Sequence, residues 1–126
     1  MKEGAAKIRT FADLNSWQEG HELAIEIYKI TEKFPIKEQF GLTSQLRRAA
    51  VSVTSNIAEG FSRETAKDKI RFYFMSRGSV AEIQSQLAIA RDIGYLKLDD
   101  FNAVALKSIT VHKLIGGMIK SLRNYL

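Results

Sequence analysis

Apolar residues recur along this chain at alternating steps of three and four, in four stretches separated by short breaks. No stretch alternates with the period of two that marks a half-buried strand. The pattern predicts an all-α fold, an antiparallel up-down-up-down four-helix bundle in a single domain over 1–126, with helices at about 16–34, 43–61, 65–94 and 100–126. Ser16 and Glu19 have the spacing of a capping box for the first helix, and Phe34-Pro35 ends it. Its inward stripe is Trp17, Leu23, Ala24, Ile27, Ile30, Thr31 and Phe34. The second helix sets Leu46, Ala50, Val53 and Ile57 on one face and the small residues Ala49, Ser52, Asn56 and Gly60 beside them, which allows a close helix neighbour. The third carries Phe72, Met75, Ser79, Ile83, Gln86, Leu87 and Ala90 inward and stops at Gly94, a residue suited to a left-handed cap. The fourth opens after Asp99 or Asp100 and turns Phe101, Val104, Ala105, Ile115, Met118, Ile119 and Leu122 inward. Gly116-Gly117 weakens it by up to about 1 kcal/mol per glycine, but the apolar period resumes beyond, so a close contact or a kink is expected there rather than an end.

A helix of a small isolated bundle shows water a charged stripe. Ala49 to Ala58 has no charge at all, and Gly78 to Ala90 has only Glu82. The second and third helices are therefore expected to be covered on a second side, which implies that the chain associates with copies of itself.

Composition narrows the class of protein. The 126 residues, 45% of them apolar and 26% charged, can bury one ordinary core. Without cysteine there is neither a disulfide framework nor a thiolate metal site. The N-terminus lacks the apolar run of a signal peptide, and charges interrupt every later apolar stretch short of membrane-spanning length. The expected location is the cytoplasm, with no membrane contact. Net charge is +5, but it is unevenly placed. Residues 47–77 hold 7 basic against 3 acidic side chains, and residues 101–126 hold 4 against none. Such blocks suit phosphate backbones or acidic protein surfaces.

Enzymatic chemistry finds little to stand on. His21 and His112 sit in no Glu-x-x-His pair and read as surface or partly buried helix residues, so no metal and no other cofactor is expected. There is no Gly-x-Ser-x-Gly elbow, no phosphate-cradling glycine loop and no dinucleotide fingerprint. Asn56, Glu59 and Glu82 are structural polar candidates. Glu59 ends a nearly uncharged helix, where a buried carboxylate needs a partner, and Arg71 or Arg77 of the next helix is the expected one. Arg47, Arg48, Arg63, Arg71, Arg77, Lys113, Lys120 and Arg123 are the candidates for phosphate contact, because arginine forks donate two bonds and lysine adds a point charge. Tyr73, Phe74 and Tyr95 could stack on bases, although aromatics at helical spacing more often belong to a core.

One group of residues carries a resemblance across nearly the whole chain. It runs Phe11-x-x-Leu14-x-x-Trp17-Gln18, Ile27-Tyr28-x-x-Thr31-x-x-Phe34-Pro35 and Glu38-x-Phe40-Gly41-Leu42-Thr43-x-Gln45-Leu46-Arg47-Arg48-Ala49-Ala50. It continues as Val51-Ser52-Val53-x-x-Asn56-Ile57-Ala58-Glu59-Gly60-Phe61-x-Arg63, Arg71-Phe72 and Gly78-Ser79-x-x-Glu82. The sequence resembles the bacterial four-helix-bundle proteins encoded in 23S rRNA intervening sequences. The resemblance implies assembly as a homopentamer and a relation to the accessory proteins of diversity-generating retroelements, which look like basic pentameric barrels binding nucleic acid and a reverse transcriptase.

Residues and resemblance together lead to an expected non-enzymatic, homopentameric scaffold that binds RNA or DNA backbone in a salt-sensitive way. The alternative is an adaptor whose basic surface docks an acidic protein partner, with no nucleic-acid role.

Overall fold

The computed structural model describes residues 7–126. Four helices carry most of them: α1 Asn15–Thr31, α2 Leu42–Ser62, α3 Ala66–Asp92 and α4 Leu98–Arg123. Each packs on its neighbours in sequence, and α1 closes the ring against α4 with no diagonal packing among the described residues. That is the all-α, up-down-up-down arrangement expected from the periodicity.

The starts of α1 and α4 depart from expectation, since neither Leu14 nor Lys97, which stand at their N-caps, caps through its side chain. Ser16 is no cap; it is buried inside α1, and its hydroxyl donates to Met118 Sδ at 3.3 Å. Asp13, in the turn Phe11–Asp13 ahead of Leu14, accepts the Arg9 and Thr10 amides at 2.8 and 3.0 Å; these bonds, the Thr10 amide first, hold its carboxyl below the usual range. α1 stops at Thr31, short of residue 34, because Lys33 and Phe34 donate to carbonyls three residues back and wind a tighter turn before the proline. Asp99 and Asp100 lie within the first turn of α4 rather than before it, where their charge still opposes the helix dipole. Gly94 does what a glycine C-cap should: at φ +87° it lets its own amide reach Arg91 O and the Tyr95 amide reach Ala90 O at 2.9 Å, the double closure of a Schellman turn. α4 runs through Gly116-Gly117 unbroken.

The core is built from Leu23 and Ile27 of α1, Leu46, Val53 and Ile57 of α2, Val80, Ile83 and Leu87 of α3, and Val104, Val111, Ile115 and Ile119 of α4. Trp17, Ala24, Phe101, Ala105, Met118 and Leu122, expected inside, are half-buried at its rim. Met75 is a correction, being 43% exposed, and Ser76 faces inward in its place. The reason is the closeness of α2 and α3, the most extensive helix pair. Ser76 donates to Val53 O at 2.7 Å, Ser52 and Ser79 share a 2.8 Å hydrogen bond, and Asn56 donates to Ser52 O at 2.9 Å. Much of the uncharged polar stretch of α2 thus finds its partners inside the chain. Apolar side chains are left outward as well, Val51, Met75 and Ile89 beside the exposed Ser55, Glu82 and Ser85, and a side chain added at Gly78 would meet nothing within 4 Å.

Glu38 ties the two connections at one end of the bundle. Its carboxylate accepts the Leu42 amide at the start of α2 (3.0 Å) and the Tyr95 hydroxyl from the α3–α4 turn (2.8 Å), while Phe34 packs on the Tyr95 ring at 5.6 Å between centroids. The amide first, and then the hydroxyl, hold the Glu38 carboxyl below its ordinary value, and the same hydrogen bond raises the Tyr95 phenol. A depressed folded value means that this stabilisation is complete above the unfolded carboxylate pKa and is lost as pH falls through the folded one. Wild type should therefore exceed Glu38→Gln in Tm by several degrees at neutral pH, and thermal melts should show that margin closing below about pH 4.

Candidate nucleic-acid interface

The structure sorts the basic candidates into two groups. Arg47 belongs to the α1–α2 junction: its Nε donates to Thr31 Oγ1 at 2.8 Å, its Nη2 reaches Glu32 at 3.3 Å, and the guanidinium lies 4.6 Å from the Tyr28 ring centre. Arg63 pairs with Glu59 at 2.7 Å one turn back on α2, and Arg71 pairs with Asp68 at 3.3 Å on α3. The Glu59 partner expected from the next helix is thus corrected. Glu59 is exposed, so it needs no ion from α3, and the i,i+4 arginine reaches it directly. Two further lysines of the basic blocks are spoken for. Lys69 donates to Phe61 O at 2.6 Å at the end of α2, and Lys107 bridges Glu22 and Glu19 of α1, which raises its pKa, Glu22 contributing most.

The other five candidates, Arg48, Arg77, Lys113, Lys120 and Arg123, have no carboxylate within 4.0 Å among the described residues. Arg48 stands apart from the rest, in a shallow groove between α2 and α3 with Gln45, Ser52, Glu82 and Gln86. The remaining four share the α3–α4 side. Arg77 reaches from α3 across α4, where its Nη1 would lie 3.6 Å from a β-carbon at Gly116. At that distance a β-carbon would only touch the guanidinium in ordinary van der Waals contact and at Gly117 it would meet nothing, so neither glycine marks the tight contact expected there. Phe74, one turn before Arg77, is 41% exposed, and the guanidinium carbons of Arg77 and Arg123 lie 5.0 and 5.9 Å from its ring centre. Lys120 and Lys113 follow Arg123 back along α4 at helical spacing, both exposed.

Of the three aromatics offered for stacking, Tyr73 is buried at 3% exposure and Tyr95 is held by Glu38, which leaves Phe74. Its exposure has a signal in the sequence. Phe72, Tyr73, Phe74 and Met75 are consecutive, and at 3.6 residues per turn four neighbours span most of the circumference, so some must face out. The histidines take ordinary places: His21 is exposed and stacks on Trp17 at 4.8 Å, and His112 is exposed. Among the described residues no three His, Asp or Glu side chains gather as a metal site would require. A cleft of about 840 Å³ opens where the start of α1 meets the end of α4, lined by Leu14, Phe61, Tyr73, Met118 and Leu122 with Asp13, Ser16 and Lys69. Among the described residues no helix is long and apolar enough to cross a membrane.

Comparison with known proteins places the fold and the family. The family described as "23S rRNA-intervening sequence protein" matches residues 12–117. The chain belongs to that family. A crystal structure of a protein of unknown function from the S23 ribosomal protein family of Bacteroides thetaiotaomicron superposes with a TM-score of 0.77 at 19% identity, covering 83% of this chain and 95% of that one. At that identity the likeness speaks for the four-helix fold alone. No curated protein matches. The matched segment includes Phe74, Arg77, Lys113 and Gly116 and ends before Lys120 and Arg123.

Proposed function

We propose that this protein is a non-enzymatic, cytoplasmic, homopentameric scaffold that holds RNA or DNA by its phosphate backbone. The observation that carries the reading is the run of cations with no acidic partner among the described residues, Arg77, Lys113, Lys120 and Arg123, on the α3–α4 side of a bundle whose sequence has no acidic residue from Phe101 to Leu126. Unneutralised arginine and lysine in a row are the footprint of a polyanion. The family's name connects it with 23S rRNA intervening sequences, which makes an RNA the first ligand to try. Self-association is supported by the exposed Val51, Met75 and Ile89 and by Gly78, whose surroundings are open in the single chain.

The test is the mass of the purified protein by light scattering after size exclusion, with and without a short mixed-sequence RNA, at low and raised salt. A five-subunit species that takes up RNA is expected. Four phosphates held per subunit would weaken binding about fiftyfold for a fourfold rise in salt. A monomer would remove the scaffold. Unchanged affinity on charge reversal of Lys120 and Arg123 would remove α4 from the interface.

A second reading, an adaptor for an acidic protein partner, rests on the connection between α1 and α2. There Phe40 and Ile36, 90% and 84% exposed, project beside Lys33 and Lys37. A purified, nuclease-resistant complex of fixed stoichiometry that Phe40→Ala abolishes would favour it.

A further inference from the structure

Resting on the phosphate-binding reading, we propose that the ligand of the α3–α4 strip is single-stranded and that Phe74 is the platform on which one of its bases stacks. Arginines that lie on aromatic rings in this chain fall into two kinds. In the four pairs away from Phe74 the guanidinium is also held by a carboxylate: Arg47 on Tyr28 by Glu32, Arg63 on Phe72 by Glu59, Arg71 on Phe72 by Asp68, and Arg91 on Phe101 by Asp92. Arg77 and Arg123, the two guanidiniums at Phe74, have no such anion among the described residues. A phosphate brought to this one ring would give them the counter-charge that the other arginines draw from the chain itself.

The ring itself discriminates between kinds of nucleic acid. Phe74 is 41% exposed inside α3, and an apolar ring there is not needed to hold a duplex backbone. In a duplex the base faces are stacked on one another, and backbone binding reaches only phosphate and sugar. A single strand presents phosphates and bare base faces together, and proteins that hold it combine a cationic track with aromatic platforms. Arg77 lies over Gly116 of α4 beside the ring, and glycine at 117, where a β-carbon would meet nothing within 4 Å, adds no side chain to the neighbouring surface.

The experiment compares wild type, Phe74→Leu and Phe74→Trp by fluorescence anisotropy against a short mixed-sequence RNA and the duplex of the same sequence. Circular dichroism and Tm check that each variant is folded. Phe74→Leu should weaken single-strand binding roughly ten- to hundredfold and leave duplex binding unchanged. Phe74→Trp should keep the affinity, and its emission should be quenched on adding the single strand; Trp17, packed between Phe11 and His21, gives a background common to all three. Equal loss on both ligands, no loss on either, or unquenched emission would overturn the stacking proposal while leaving phosphate binding intact. Failure of wild type to bind either ligand at low salt would overturn both.

Discussion

Gly60→Ala should destabilise the fold by about 1–3 kcal/mol, although alanine is the better helix former. Gly60 lies in the last turn of α2, where a β-carbon would come within 2.6 Å of Tyr73 Cε1, 2.9 Å of Tyr73 Cδ1 and 3.1 Å of Phe72 Cβ. These are not the ends of flexible chains. The Tyr73 ring is buried at 3% exposure, and the Phe72 β-carbon moves only with α3 itself. The added methyl must therefore push α2 and α3 apart along the seam where Ser76 meets Val53 O and Ser52 meets Ser79. The gain in helix propensity, about 1 kcal/mol, is too small to offset that. Gly117→Ala is the control: the same gain applies in α4, and nothing lies within 4 Å of the new carbon. Urea unfolding of the two variants should move the midpoint in opposite directions. An unchanged midpoint for Gly60→Ala would mean that the two helices have slack the close approach denies.

That seam also shows which features the sequence can disclose. Four helices, their order and most of the core follow from spacing, because a helix that must bury one face repeats its apolar residues every three or four positions. Met75 departs from that rule for a physical reason. Spacing treats it as a large apolar residue on a permissible face, whereas the close approach of α2 demands a small one, and Ser76 satisfies its hydroxyl on Val53 O. The small residues of α2 are legible as a sign of close packing, but not which neighbour they meet. Helix starts are legible only where the cap is local: Thr65 caps α3 by accepting the Asp68 amide, whereas Leu42 at the head of α2 is capped by Glu38, which also reaches Tyr95 far along the chain. The site divides in the same way. A basic block is visible as composition, but whether an arginine is free depends on carboxylates one helix turn away or on another helix, and a linear reading ranks all of them equally.

Arg47→Ala and Arg77→Ala should therefore give opposite phenotypes, though both arginines are equal candidates by sequence. The Arg47 side chain is 28% exposed and bonds the buried Thr31 hydroxyl, Glu32 and the face of Tyr28, so it fastens α2 to the end of α1. A hydrogen bond involving a charged group is worth about 1.5–3 kcal/mol, and the open position of Glu32 discounts its share, so that about 1–2 kcal/mol of stability should go with the side chain. Nucleic-acid affinity, measured below the melting transition, should not change. Arg77 bonds no carboxylate among the described residues and rests on Phe74 and over Gly116, so its removal should alter stability by no more than about 0.5 kcal/mol. Affinity for single-stranded RNA should fall about tenfold at low salt, and the dependence of log affinity on log salt should become shallower by about 0.7 per subunit, as expected when one phosphate fewer is neutralised. Melting curves and salt titrations of the two proteins, run side by side, separate an arginine that holds the bundle together from one that waits for a ligand. If both variants lost stability and neither lost affinity, Arg77 would be a packing residue of the α3–α4 groove, and the polyanion would have to be sought at Arg48 between α2 and α3.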